Sequence, residues 1–243
     1  MKLKKKLCCA LIVACAGLPM VSFAQEAMAE EEATSPWSAS LAVTTDYVWR
    51  GVSQTDGDPA FQAGLTYTTP IGIYAGVWGS NIDFGSEADY EVDGFIGYNV
   101  DLGEKVNFDV NLTRYAYPNE GALNWNELIT KTTFFEHYNL TVAYSDDTWA
   151  TDENGLYYAV GTSWELPAGF GIAANIGRSD FSDDAGIDDY TDYNVGLSKS
   201  FGPATASVTY YSTSDSGKDQ FFGPSGDQSA DGRVVVAVTV ALP

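Results

Sequence analysis

Cysteine is confined to the start of the sequence: Cys8, Cys9 and Cys15 are the only three, and none occurs later. The remainder therefore has no disulfide framework, no thiolate metal site and no cysteine nucleophile. Histidine occurs once, as His137, which leaves little for imidazole acid–base chemistry. Basic residues are few, 12 against 33 acidic ones, for a net charge of −21. Such a balance disfavours nucleic acid, whose phosphates would be repelled. It suits a surface facing water, cations or the divalent-bridged lipopolysaccharide leaflet, and it keeps long loops soluble. Long apolar runs are also missing after Val21, so no helix of about 20 apolar residues is available to cross a bilayer. A membrane location would then require a closed β-barrel, which leaves no unpaired backbone in lipid.

Residues 1–24 read as a secretory signal peptide. Lys2, Lys4, Lys5 and Lys6 precede an apolar stretch from Leu7 to Val21, and Ser22-Phe23-Ala24 offers small residues at a cleavage site. Ile12-Val13-Ala14-Cys15 loosely matches a lipobox, but the apolar run continues past it to Ala24. These residues carry four lysines and no acid, so the chain beyond Ala24 is more acidic still. Residues 25–36 are rich in Ala and Glu and form a flexible acidic lead-in.

Residues 37–243 show about twelve segments that alternate with period two, the mark of strands with unlike faces. In the first, Leu41, Val43, Thr45, Tyr47 and Trp49 alternate with Ser40, Ala42, Thr44, Asp46 and Arg50. In the fourth, Tyr90, Val92, Ile96 and Tyr98 alternate with Glu91, Asp93, Gly97 and Asn99. In the fifth, Val106, Phe108, Val110 and Leu112 alternate with Asn107, Asp109, Asn111 and Thr113. The third and sixth, near Ile73 to Ser80 and Leu123 to Lys131, alternate poorly, and their faces stay unassigned.

A soluble barrel or sandwich would show the same period with its apolar face inward. Three features favour the membrane. Connections after odd strands are long and those after even strands short, as outer-membrane barrels arrange them. Aromatics fall in two bands, Trp49, Phe61, Tyr90, Trp125, Trp149 and Tyr210 near the outer strand ends and Trp37, Tyr67, Tyr98, Tyr138, Trp164 and Phe201 near the inner ends. Finally, eight strands already enclose about as much interior as side chains can fill, so twelve with apolar residues inward would leave a void. The expected fold class is all-β, a transmembrane antiparallel up-and-down β-barrel in the outer membrane of a Gram-negative cell.

The run Asp46-Tyr47-Val48-Trp49-Arg50-Gly51-Val52-Ser53-Gln54-Thr55, followed by Asp58-Pro59-Ala60, resembles the opening of the TorF-type porin family. So do Tyr74-Ala75-Gly76-Val77-Trp78-Gly79-Ser80-Asn81 and Tyr115-Ala116-Tyr117-Pro118. The resemblance implies an outer-membrane barrel classed as a porin by its architecture, with no settled substrate or catalytic residue. Such barrels usually finish on an aromatic residue, whereas this sequence finishes Ala241-Leu242-Pro243.

By parity, Asp46, Arg50, Glu91, Asp93, Asp109 and Glu165 line the lumen, with Arg50 pairing to Asp46 or Asp93. Arg114 and Arg178 face outward near the outer rim, where lipid phosphates lie. No catalytic site, metal or cofactor is assigned. His137 reads as a solvated turn residue, and the acidic run Asp180 to Asp189 fails the EF-hand pattern, with Ala185 at the turn glycine and Thr191 at the final Glu. The sequon Asn139-Leu140-Thr141 lies on an expected strand and is discounted. The leading functional expectation is a channel for passive diffusion of small hydrophilic solutes, biased toward cations by its interior acids. Its rival is a non-conducting structural or surface-binding barrel with a plugged lumen. Expected partners are outer-membrane lipid, lipopolysaccharide and small solutes or ions, and no nucleic acid.

Overall fold

The structure is a computed structural model that describes residues 35–242. The signal peptide expected at 1–24 and all of the lead-in expected at 25–36 except Ser35 and Pro36 lie outside the described residues. Twelve strands form a closed antiparallel up-and-down barrel: β1 (Trp37–Thr44), β4 (Ala60–Thr68), β5 (Ile73–Asn81), β6 (Tyr90–Asp101), β7 (Val106–Ala116), β8 (Trp125–Phe134), β9 (Tyr138–Ser145), β10 (Gly155–Leu166), β11 (Phe170–Phe181), β12 (Tyr190–Phe201), β13 (Ala204–Thr213) and β14 (Arg233–Leu242). The remaining two, β2 (Val48–Trp49) and β3 (Val52–Ser53), make a small separate hairpin. Every barrel strand pairs with its sequence neighbour, and β1 closes the ring on β14 from Ala39↔Leu242 to Thr44↔Ala237.

Alternation turns one face of each strand outward. Leu41, Ile96, Leu112, Val160, Ile176, Val195 and Val236 are among the exposed outer residues, while Thr66, Asn111, Thr113, Ser198 and Thr209 are buried inside. Large apolar side chains thus cover the exterior all the way round, far beyond the patches of a few hundred Å² that soluble monomers tolerate. Only lipid can cover such a belt. The connections sort by parity: 45–59, 82–89, 117–124, 146–154, 182–189 and 214–232 are long, and 69–72, 102–105, 135–137, 167–169 and 202–203 are short. We call the long-loop end outer.

All six aromatics expected at the inner end are exposed there, with Trp37 and Tyr67 in edge-to-face contact at 4.9 Å. The outer band needs correction. Phe61, Tyr90 and Tyr210 are exposed, but Trp49 and Trp125 are buried in the lumen, and Trp149 packs against Trp49 above it. The first strand is also shorter than its alternation suggests. It ends at Thr44, and residues 45–59 turn into the barrel. Tyr47 and Trp49, expected outward, are 2% and 8% exposed inside it.

The apolar exterior makes two outcomes checkable. Val195→Arg, on the outer face near the middle of β12, should cost about 2–4 kcal/mol of folding stability in phospholipid bilayers, measured by urea unfolding, whereas Asp183→Arg in a long loop should cost nothing measurable. On intact cells, cysteine at the exposed loop position Asp184 should react with an impermeant thiol reagent, and cysteine at Glu104 in a short turn should not.

Candidate functional site: the outer lumen

Segment 45–59 shapes the outer lumen. Its turn is Arg50-Gly51, with φ of 46° and 80°, between the pairs Val48↔Ser53 and Trp49↔Val52. Positive φ at both central residues is the geometry that lets a two-residue turn follow the twist of its strands. Glycine at 51 has a second reason. A Cβ there would come within 2.5 Å of Thr213 Cγ2, so the hairpin tip lies directly against β13, two strands round the barrel from β1.

Buried polar contacts fix the segment. Asp46, 6% exposed, accepts from Ser53 Oγ at 2.6 Å, Thr55 Oγ1 at 3.0 Å and Arg233 of β14 at 2.7 Å. Arg50 donates to both oxygens of Glu127 on β8 at 2.8 Å, and its guanidinium lies 4.1 Å over the Trp49 ring and 4.0 Å over the Tyr157 ring. The backbone joins in, with Ser53 N donating to Ser229 O at 2.8 Å and Asp83 N donating to Gln54 O at 2.8 Å. Arg50 therefore pairs with Glu127, not with Asp46 or Asp93. Glu127 was hidden in the sequence because Trp125 and Ile129 share its inward face and break the alternation of β8.

Above the hairpin lies a cavity of about 320 Å³, open to the outer end and walled by Tyr47, Trp49, Tyr115, Tyr117, Trp125 and Trp149. Tyr115 and Trp125 stack at 4.3 Å, with Trp49 edge-on to both at 6.2 and 6.0 Å. Phe84, Phe221 and Phe222 from the long loops complete the rim. At the cavity wall Glu91 accepts from Tyr47 Oη and Tyr117 Oη, both at 2.8 Å. Burial pushes the Tyr47 phenol well above its ordinary range, and the charge of neighbouring Glu91 adds to the shift. Burial and Glu91 do the same to Tyr117, so both remain donors at neutral pH.

The other sequence candidates spread along the barrel. Asp93 faces inward one step below Glu91. Asp109, 1% exposed, lies in the inner half, where it accepts from Tyr74 Oη at 2.8 Å and Asn99 Nδ2 at 3.2 Å in a ladder of Asn side chains. Glu165 has inward parity but is exposed at the inner mouth, apart from the rest. Arg114 faces outward and donates to Asn126 Oδ1 at 3.3 Å, while Arg178 faces outward between Asp180 at 2.5 Å and Asp189 at 3.0 Å. His137 sits in the inner turn 135–137, stacked on Trp164 at 3.9 Å. In the acidic loop, Asp183–Ala185 forms a single 3₁₀ turn, and among the described residues no group of three or more His, Cys, Asp or Glu is placed to hold a metal. Asp192 and Arg233 also face inward, and their parity beside Tyr193 and Val234 was there to be read.

Removing one member of the buried Arg50–Glu127 pair should be costly, since the other charge is left alone. Arg50→Met should destabilise the barrel by about 3–5 kcal/mol and raise hydrogen exchange across 45–59. The double variant Arg50→Met/Glu127→Met should recover part of that loss in the same measurement.

Comparison with known proteins places this geometry. The barrel is similar to the NanC porin, at 10% identity over 85% of this chain and 99% of that one, with a TM-score of 0.57. It is similar to the KdgM porin at 8% identity over 85% of this chain and 99% of that one, with a TM-score of 0.55. A second KdgM structure, in complex with disordered oligogalacturonate, gives the same identity, coverage and TM-score. At these identities the likeness is one of fold. Among curated proteins no sequence match is found. Residues 29–242 match the model of a family described as "Bacterial protein of unknown function (Gcw_chp)", and over that span the chain belongs to the Gcw_chp family.

Proposed function

We propose that this chain is an outer-membrane channel for passive diffusion of small hydrophilic solutes, biased toward cations, with segment 45–59 as its constriction. The observation that carries the reading is the interior wall. Asp46, Glu91, Asp93, Asp109, Glu127 and Asp192 face inward, against Arg50, Lys131 and Arg233. Acids outnumber bases, and fixed negative charge in a narrow passage concentrates cations and repels anions. The porin folds to which the barrel is similar support a channel, and the TorF-type resemblance of residues 46–60 agrees with it. Export through the signal peptide at 1–24 and contact with lipopolysaccharide belong to the same proposal. Arg114 is the better candidate for lipid phosphate, because Arg178 already has two carboxylates beside it. The reading includes no catalysis and no cofactor.

One observation favours a second reading, a plugged and non-conducting barrel. Segment 45–59 is tied to β8 through Arg50 and to β14 through Asp46, and its Gly51 lies against β13. Such anchoring is what a permanent plug would need.

Planar-bilayer recordings of the refolded protein separate the two. A channel should pass current with a cation-directed reversal potential, and the bias should grow as salt falls, because screening reaches only about 8 Å at physiological ionic strength. Neutralising Glu91→Gln, Asp93→Asn and Asp109→Asn together should move that potential toward the non-selective value. A silent wild type that conducts once Trp49 and Arg50 are both changed to Ala would establish the plug instead. Anion selectivity would sink the proposed bias.

A further inference from the structure

Among the described buried carboxylates of the outer lumen, Glu127 and Asp46 have their cations, and Glu91, Asp93 and Asp192 have no ion pair. Glu127 holds Arg50, and that guanidinium is sandwiched between the faces of Trp49 and Tyr157. Aromatic faces plus a carboxylate are thus how this protein holds its own buried cation. The same ingredients recur beside it. Glu91 and Asp93 follow one another on the inward face of β6, 3% and 7% exposed, with Tyr47, Tyr115, Tyr117 and Trp125 around them. The ion pairs among the described residues belong to Arg50, Arg178 and Arg233, and none reaches Glu91 or Asp93. Glu91 has only two phenols, and Oδ1 of Asp93 is buried with no hydrogen-bond partner. Burying carboxylates costs several kcal/mol each unless a positive charge compensates. Glu91 lines the open aromatic cup of about 320 Å³, and Asp93 lies one step below it on the same inward face of β6.

We propose that this cup binds a small organic cation, an alkylated ammonium compound, with its charge toward Glu91 and Asp93 and its alkyl groups against the Tyr and Trp faces. A hard metal ion fits poorly, since it needs a shell of oxygen ligands and the walls are aromatic. A volume of about 320 Å³ is at the small end of ligand pockets, which run from about 300 to 1,000 Å³. The inference deepens the channel reading by naming a solute class, and it rests on that reading only for what happens after binding.

The test uses the refolded full chain in detergent micelles, reading tryptophan fluorescence from Trp49, Trp125 and Trp149 during titration at constant ionic strength. Choline is the cationic probe, and 3,3-dimethylbutan-1-ol, of the same shape without the charge, is the neutral one. Choline should give a saturable change, and the neutral probe should bind at least tenfold more weakly. Glu91→Gln and Asp93→Asn should each weaken choline at least tenfold while leaving the neutral probe unaltered, and Asp183→Asn should change nothing. Equal binding of the two probes, no saturable response to choline, or tighter binding of a neutral sugar such as glucose would overturn the proposal. If either acid variant loses the folded, heat-modifiable gel band, the two probes on the wild type decide alone. Conductance is recorded separately. Binding without current keeps the site and removes the channel, and current without choline binding does the reverse.

Discussion

In hydrocarbon no backbone N–H or C=O can be left unpaired, and the rest of this structure depends on how that constraint is met. Twelve strands pair in sequence and close β1 on β14, which leaves the barrel sheet without an edge. Closure with this many strands also creates a problem of volume. An eight-stranded barrel can be filled by the side chains of its own wall, and a twelve-stranded one cannot. Something must fill the surplus or water must enter it. Here the segment after the first strand turns inward and occupies the outer part, bringing Tyr47, Val48 and Trp49 to at most 8% exposure.

Turning a chain segment into the lumen takes its polar groups away from bulk water, so each must find a partner. Asp46 and Arg50 meet that need in opposite senses. Asp46 gathers hydroxyls and Arg233, and Arg50 delivers its charge to Glu127 across the barrel. These contacts fix the height and angle of the hairpin. That position in turn sets the floor of the cup formed by Trp49, Tyr115 and Trp125. The aromatic outer mouth is therefore a consequence of the anchoring as much as of the residues that line it. The inner half is different in kind, a ladder of Asn, Asp and Thr side chains around Asp109, and among the described residues no chain segment is laid across it.

Where one face met lipid and the other did not, alternation identified both, because a pleated strand has only two faces and lipid rejects charge. The fourth and fifth segments, now β6 and β7, placed Glu91, Asp93 and Asp109 inward on that ground alone. The signal failed where the interior was itself apolar. Trp125 faces inward beside Glu127 because the hairpin gives it Trp49 as a neighbour from more than 70 residues away in sequence, and Ile129 does so because it packs with Ala143, Tyr157 and Ala159 of β9 and β10. It failed again at residues 45–50, whose alternation continues that of β1 although the chain has left the sheet. Period two is a local property, and a hairpin inside the barrel keeps it as readily as a strand in the wall.

The sequence by itself determined the fold class, the parity of long and short connections and the inward direction of most interior acids, since each comes from backbone pairing and the two-faced strand. Only the tertiary structure decided that residues 45–59 enter the lumen, that Arg50 pairs with Glu127, and that three of the expected outer-band tryptophans line a cup. Those outcomes depend on which side chains meet across the width of the barrel, and the pattern along a single strand contains no information about the opposite wall.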